Sequence, residues 1–228
     1  MKIALCFSGE ARSFEKGYEY YKHNLLNFHD VDVFIHTWNN PGVEKYIELY
    51  KPRAYLIEDK PPSENYNQRY PRTPEPENRP PWNAYCMFLS MYKCSQMVVG
   101  QGDYDWVIKS RSDYALNLAI PFSQLDSSKL YIPNCRMVPE RDFGNDQFAF
   151  SSQENMMKYM STCKYIDEFY DNGAVYIGEN MMQANLRKHG LCGENLVYVN
   201  MNNPFPPGPY NGGWHSLIRD DMNQWVKY

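Results

Sequence analysis

Lys109, Arg111 and Asp113 stand two apart at the end of a short apolar run, Trp106-Val107-Ile108. Gly102-Asp103 precedes that run and polar residues follow it, the pattern of a buried strand. If the chain stays extended through them, side chains two apart share a face and these three point the same way. Two cations and a carboxylate at the mouth of a buried strand suit a phosphate or a metal-bound phosphate. In open α/β sheets ligands sit at the carboxyl ends of the strands. An Arg111–Asp113 ion pair with no ligand accounts for two of the same residues.

Two further stretches carry residues of the right types. The apolar run Ile3-Ala4-Leu5-Cys6-Phe7 breaks at Ser8-Gly9-Glu10-Ala11-Arg12. Gly9 would let a nucleotide approach the backbone, and Arg12 could reach a phosphate. The loop is neither a Walker nor a dinucleotide fingerprint, and a plain strand-to-helix turn explains it too. Further on, Asp142 and Asp146 flank a turn at Gly144-Asn145 that runs into the aromatic stretch Phe148-Ala149-Phe150. Asp142 and Asn145 are also ordinary turn formers.

The elements that must position these residues alternate. Strands are expected at Ile3–Phe7, Val31–Trp38, Ala54–Ile57, Trp106–Asp113, Leu130–Pro133 and Leu196–Val199. Helices are expected at Phe14–Phe28, Val43–Lys51, Trp82–Gly100, Gln153–Tyr170 and Glu179–His189. Strands alternating with helices argue for a mainly parallel, doubly wound sheet. Residues 60–81 hold seven prolines and few aliphatics. They read as a long loop, either a lid or an insertion. From about residue 202 a Pro-, Gly- and Asn-rich tail follows, with His215 within it. The whole of 1–228 is expected to form one domain.

Net charge is −4 over 228 residues, so no broad basic face is implied and nucleic acid is not an expected partner. The six cysteines include no C-x-x-C pair. They read as reduced thiols rather than a disulfide frame or a zinc site. The N-terminal apolar run is too short for a secretory signal, and no apolar stretch reaches the length of a membrane span. A soluble, cytoplasmic protein is expected. Of the twenty tyrosines, most are expected to pack as amphipathic rings at the sheet surface.

Taken in order, several motifs resemble those of GT-A-fold glycosyltransferases, especially the WavE-like lipopolysaccharide type and related enzymes that glycosylate virus or cell surfaces. They are Ser8-Gly9-Glu10-Ala11-Arg12, Asp32-Val33-Phe34-Ile35-His36-Thr37-Trp38, Tyr104–Asp113 and Asn145-Asp146-Gln147-Phe148-Ala149-Phe150. The resemblance spans roughly residues 1–200. It implies a GT-A-like (Rossmann-like) sheet flanked by helices, a nucleotide-sugar donor, and a saccharide or glycoprotein acceptor. In such enzymes a D-x-D-type motif closes a central strand and holds Mn²⁺ or Mg²⁺ on the donor diphosphate. Here the motif is Arg111-Ser112-Asp113: Asp113 remains as a metal ligand, while Arg111 stands where the first carboxylate would be and could neutralise diphosphate itself. By the same resemblance Ser8, Gly9 and Arg12 line the nucleotide pocket; the spacing at the strand end adds Lys109 and Arg111 to it. His215 is the candidate second metal ligand. Asp146, then Glu179, is the candidate general base beside the acceptor, with Asp142 a third. A sugar-nucleotide pyrophosphorylase and a non-catalytic carbohydrate- or nucleotide-binding module are the alternatives.

Overall fold

The computed structural model describes residues 1–63, 66, 69–70, 80–133 and 144–199, and, for their backbone alone, 67, 68 and 215–217. Strands β1 (Lys2–Gly9), β2 (Asp30–Trp38), β3 (Ala54–Glu58) and β4 (Trp106–Ser110) pair in parallel in the order β3-β2-β1-β4. The sheet continues through β7 (Ala149–Ser151), β6 (Leu130–Pro133) and β8 (Leu196–Val199). Only β7 runs against its neighbours, antiparallel to both β4 and β6. The result is a seven-stranded, mostly parallel mixed sheet flanked by helices. It is Rossmann-like in class, as the alternation of elements implies.

Every residue of β4 is buried, as are six consecutive residues of β1. Burial on both faces explains why these runs are continuously apolar rather than alternating. On one face, Ala4, Cys6 and Val107 meet helix α4 (Pro81–Val98), α5 (Gln153–Tyr159), α6 (Ile166–Asp171) and α7 (Gly178–Lys188). On the other, Ile3, Leu5, Phe7 and Ile108 meet α1 (Phe14–Tyr21) and α2 (Val43–Tyr50). Helix α4 begins with Pro81 at its first turn, where a missing N–H costs nothing. Its buried residues Cys86, Ser90, Cys94 and Val98 recur every fourth position and lay one stripe on the sheet.

Three expectations need amendment. The Trp106 strand ends at Ser110, and residues 111–113 turn, closed by the Tyr114 N–H donating to the Arg111 carbonyl (3.2 Å). The extended geometry invoked for Lys109, Arg111 and Asp113 therefore stops one residue short of Arg111. A short strand β5 (Tyr114–Leu116) follows and pairs antiparallel with β9 (His215–Leu217) from the tail. The helix expected over Gln153–Tyr170 is broken into α5, a 3₁₀ turn at Thr162–Tyr165 and α6. Hydroxyls explain the break: Ser161 Oγ donates to the Lys158 carbonyl (2.7 Å) and Thr162 Oγ1 to that of Tyr159 (3.2 Å). Side chains that bond the backbone compete with helix continuation. Within the Pro-rich stretch, α3 (Tyr66–Arg69) is a short helix whose Tyr66 ring stacks on Tyr85 of α4 at 4.4 Å. Residues 64–65 and 71–79 lie outside the described residues.

Helix α1 reaches the 111–113 turn through a glycine. A Cβ on Gly17 would run into the Ser112 carbonyl oxygen and stand 3.4 Å from the Tyr50 hydroxyl. Gly17→Ala is expected to destabilise the fold by about 1–3 kcal/mol, since backbone must shift to relieve the overlap. Urea unfolding of the two proteins measures the difference; equal midpoints would mean that α1 does not seat against this turn.

Candidate functional site

Strands β2 and β3 lie to one side of β1, and β4 lies to the other. The crevice beyond the carboxyl ends of β1 and β4 is thus the point where the strand order reverses, the usual ligand position in open α/β sheets. Pairing of Phe7 with Ser110 brings the Ser8–Arg12 loop and the 111–113 turn side by side. Ser112 laces them together. Its hydroxyl accepts from the Arg12 N–H (3.0 Å) and reaches the carbonyls of Glu10 (2.8 Å) and Arg12 (2.9 Å). Gly9 takes a left-handed φ of 108°, and its N–H donates to Ser90 Oγ of α4 (2.7 Å). Ser8 is buried, and its Oγ has no hydrogen-bond partner among the described residues.

Both arginines are held by acids two residues away. Arg111 donates to Asp113 through Nε (2.8 Å) and Nη2 (2.6 Å), a bidentate fork on a buried carboxylate. Burial opposes the Arg111 charge, but Asp113, with help from Asp146, more than offsets it and holds the guanidinium protonated. Arg12 donates through Nε to Glu10 Oε2 (2.6 Å), and Lys60 bonds the other oxygen of Glu10. Burial would raise the Glu10 carboxyl, yet these two cations hold it below the usual carboxylate range. The crevice is therefore charge-balanced rather than an open basic bowl. An incoming anion must share Arg12 and Arg111 with the acids that already hold them.

Lys109 is the exception among the cations. It is wholly buried and donates to two consecutive backbone carbonyls, Asp146 and Gln147 (3.1 Å to the latter). Burial pushes its amine down to about 7; Arg111 adds to the fall, while Asp146 and Asp113 oppose it. Three more hydrogen bonds fasten the 144–148 turn. Asn145 Oδ1 accepts from the N–H groups of Gln147 (2.8 Å) and Phe148 (3.2 Å), and the Tyr159 hydroxyl donates to the Asn145 carbonyl (2.6 Å). This turn delivers the Asp146 carboxylate to the start of α7, against Gly178, where a Cβ would overlap Oδ2. Unpaired N–H groups at a helix start favour an anion there. Asp146 thus comes to the start of α7, where Glu179 follows Gly178, and lies within electrostatic reach of Lys109 and Arg111.

Asp142 lies outside the described residues. The backbone of His215 is in β9, opposite Leu116 and three strand positions past Asp113, roughly 10 Å along the chain. Among the described residues no three His, Cys, Asp or Glu side chains form a group that could hold a metal ion. Each Asp113 oxygen already accepts from Arg111, so a Mn²⁺ or Mg²⁺ ion bound there would share the carboxylate with the guanidinium. A cleft of about 390 Å³, lined by Tyr18, Leu26, Val33, Lys51 and Arg53, opens at the amino end of β2, away from this chemistry.

One network went unread in the sequence. His36 Nε2 bonds Glu58 Oε2 (2.9 Å), which assigns the ring proton to Nε2, and Nδ1 then accepts from Ser90 Oγ (2.8 Å). Lys93 bonds the same Glu58 oxygen. The chain Lys93–Glu58–His36–Ser90–Gly9 fixes the first loop from below. His36 was visible as a polar residue ending a strand, but nothing marked its partners on β3 and α4. Burial lowers the His36 pKa, only partly countered by Glu58.

No protein-family model matches the chain, and no curated protein matches it.

Because folded His36 resists protonation while unfolded histidine titrates near 6.5, the unfolded state binds the extra proton first. Stability from this residue is present above pH ~6.5 and is lost as pH falls below it. The urea midpoint of the native protein is expected to drop more steeply than that of His36→Gln between pH 7.5 and 5.5. Parallel curves would show that His36 does not stay neutral in the fold.

Proposed function

We propose that the chain is a nucleotide-sugar-dependent glycosyltransferase of GT-A-like architecture, acting on a saccharide or glycoprotein acceptor. The observation that carries this reading is the convergence at the strand-order reversal. A Gly9 loop and an Arg111 turn are laced by Ser112, and a separate turn brings in the Asp146 carboxylate. The mostly parallel sheet supports the coarse class.

Each group has a role in that chemistry. The nucleoside diphosphate lies over Gly9–Arg12, whose Gly9 φ leaves the backbone open to approach. Cleavage of the sugar–phosphate bond leaves added negative charge on the diphosphate, and a fixed cation must stabilise it. Arg111 fits that task. The Asp113 fork orients its plane and uses two of its five N–H bonds, leaving three for phosphate oxygens. Asp146 accepts the proton of the attacking hydroxyl, as a general base must for transfer with inversion; Glu179 is the alternate. In this account the charge is met by Arg111, and a divalent metal at Asp113 would share that carboxylate with it.

Calorimetry with UDP, GDP and CDP, followed by a hydrolysis and transfer assay on the corresponding sugars, tests the reading. One diphosphate is expected to bind, and Arg111→Gln to weaken it about tenfold or more. Asp146→Asn is expected to slow turnover ~10²-fold while donor affinity stays within about threefold. Absence of binding by every nucleotide would overturn the proposal, and near-normal turnover in Asp146→Asn would move the base to Glu179.

A further inference from the structure

We propose that Lys109 is the positioning residue for Asp146 and that it takes up a proton when an anion occupies the crevice. The inference rests on the reading of that crevice as a diphosphate site. Its geometry is specific. The Lys109 nitrogen has no exposure, and its two bonds go to the carbonyls of the residue that carries the carboxylate and of the next one. A neutral amine has two N–H bonds, which these two carbonyls satisfy; an ammonium has a third to place. The groups that act on it are Asp146 from the 144–148 turn, Arg111 and Asp113 from the turn after β4, and Cys94 from α4.

In the free protein burial outweighs their combined pull and favours the amine. A diphosphate bound at Arg111 adds negative charge in a poorly solvated place, which favours the ammonium. The proton comes from solvent, so binding consumes one. As ammonium, Lys109 grips the two carbonyls more tightly, because charged donors make stronger bonds. The Asp146 carboxylate is thereby held firmest while the crevice is filled. No bond is made or broken beyond this proton transfer.

Inorganic pyrophosphate is the probe, titrated calorimetrically at pH 8 in two buffers of different ionisation enthalpy. The native protein is expected to take up about half a proton or more per pyrophosphate, after subtraction of the uptake seen with Lys109→Met. Its affinity is expected to fall about tenfold relative to that variant from pH 7 to 9. Lys109→Gln, a neutral donor, is expected to keep the fold and lose the uptake, while amide exchange at residues 145–148 quickens about tenfold. Uptake unchanged in either variant, or native binding with no uptake at pH 8, overturns the inference and leaves the diphosphate site standing. Failure of the native protein to bind pyrophosphate at any pH overturns both.

Discussion

The amine of Lys109 has no water to solvate it, and the site around it is arranged by that fact. An unpaired buried amine is costly, so its partners must be fixed. They are two carbonyls of a turn that belongs to neither neighbouring strand. Chain that could otherwise move is thus tied to β4, the strand that also carries Arg111 and Asp113. Asn145 and Tyr159 complete the tie from within the turn and from α5. One apolar contact adds to it: Tyr114, just past Asp113, stacks on Phe148 at 5.2 Å with planes 7° apart. The end of β4, the 144–148 turn and α5 are thereby pinned to one another.

The second organising feature is self-neutralisation at short range. Arg12 with Glu10, and Arg111 with Asp113, are each separated by one residue. Such pairs keep cations oriented without a ligand; the net contribution to stability is small at the partly exposed Arg12–Glu10 pair, and at the buried Arg111–Asp113 pair desolvation offsets much of the attraction. Their worth lies in orientation. A guanidinium already held in a plane loses less entropy on meeting a phosphate than one that swings freely. The cost is competition, because each acid also repels the incoming anion.

Aromatic rings supply much of the packing that holds the two helical layers on the sheet. Phe7 meets Tyr21 and Tyr50 edge-on at 5.0 and 4.8 Å. The phenols still need partners: Tyr21 shares a hydrogen with Ser110 Oγ (2.5 Å), and Tyr50 donates to the Phe14 carbonyl (3.3 Å). Both hydroxyls end next to the 110–113 segment. The core that stabilises the sheet therefore also buttresses the turn.

Local pattern was enough to place six strands of the main sheet and most helices, though not the short β5–β9 pair, because apolar runs bounded by turn residues carry their own period. It also marked the two loops and the Gly144 turn, since glycine and short polar residues announce breaks in the chain. What it could not supply was the end of β4: Arg111 and Asp113 have nothing in their local sequence that stops a strand at Ser110. The stop comes from α1, where Gly17 lets the Ser112 carbonyl approach, and from Ser112 bonding the first loop. Nor could it tell whether the Lys109 amine points to water or to carbonyls 37 and 38 residues away. The His36–Glu58 and His36–Ser90 bonds, spanning 22 and 54 residues, were equally out of reach. Period and turn chemistry are short-range properties of the chain and so legible in it. Burial, hydrogen-bond partners and the charge state of an amine depend on which distant segments meet, and only the folded sheet decides that.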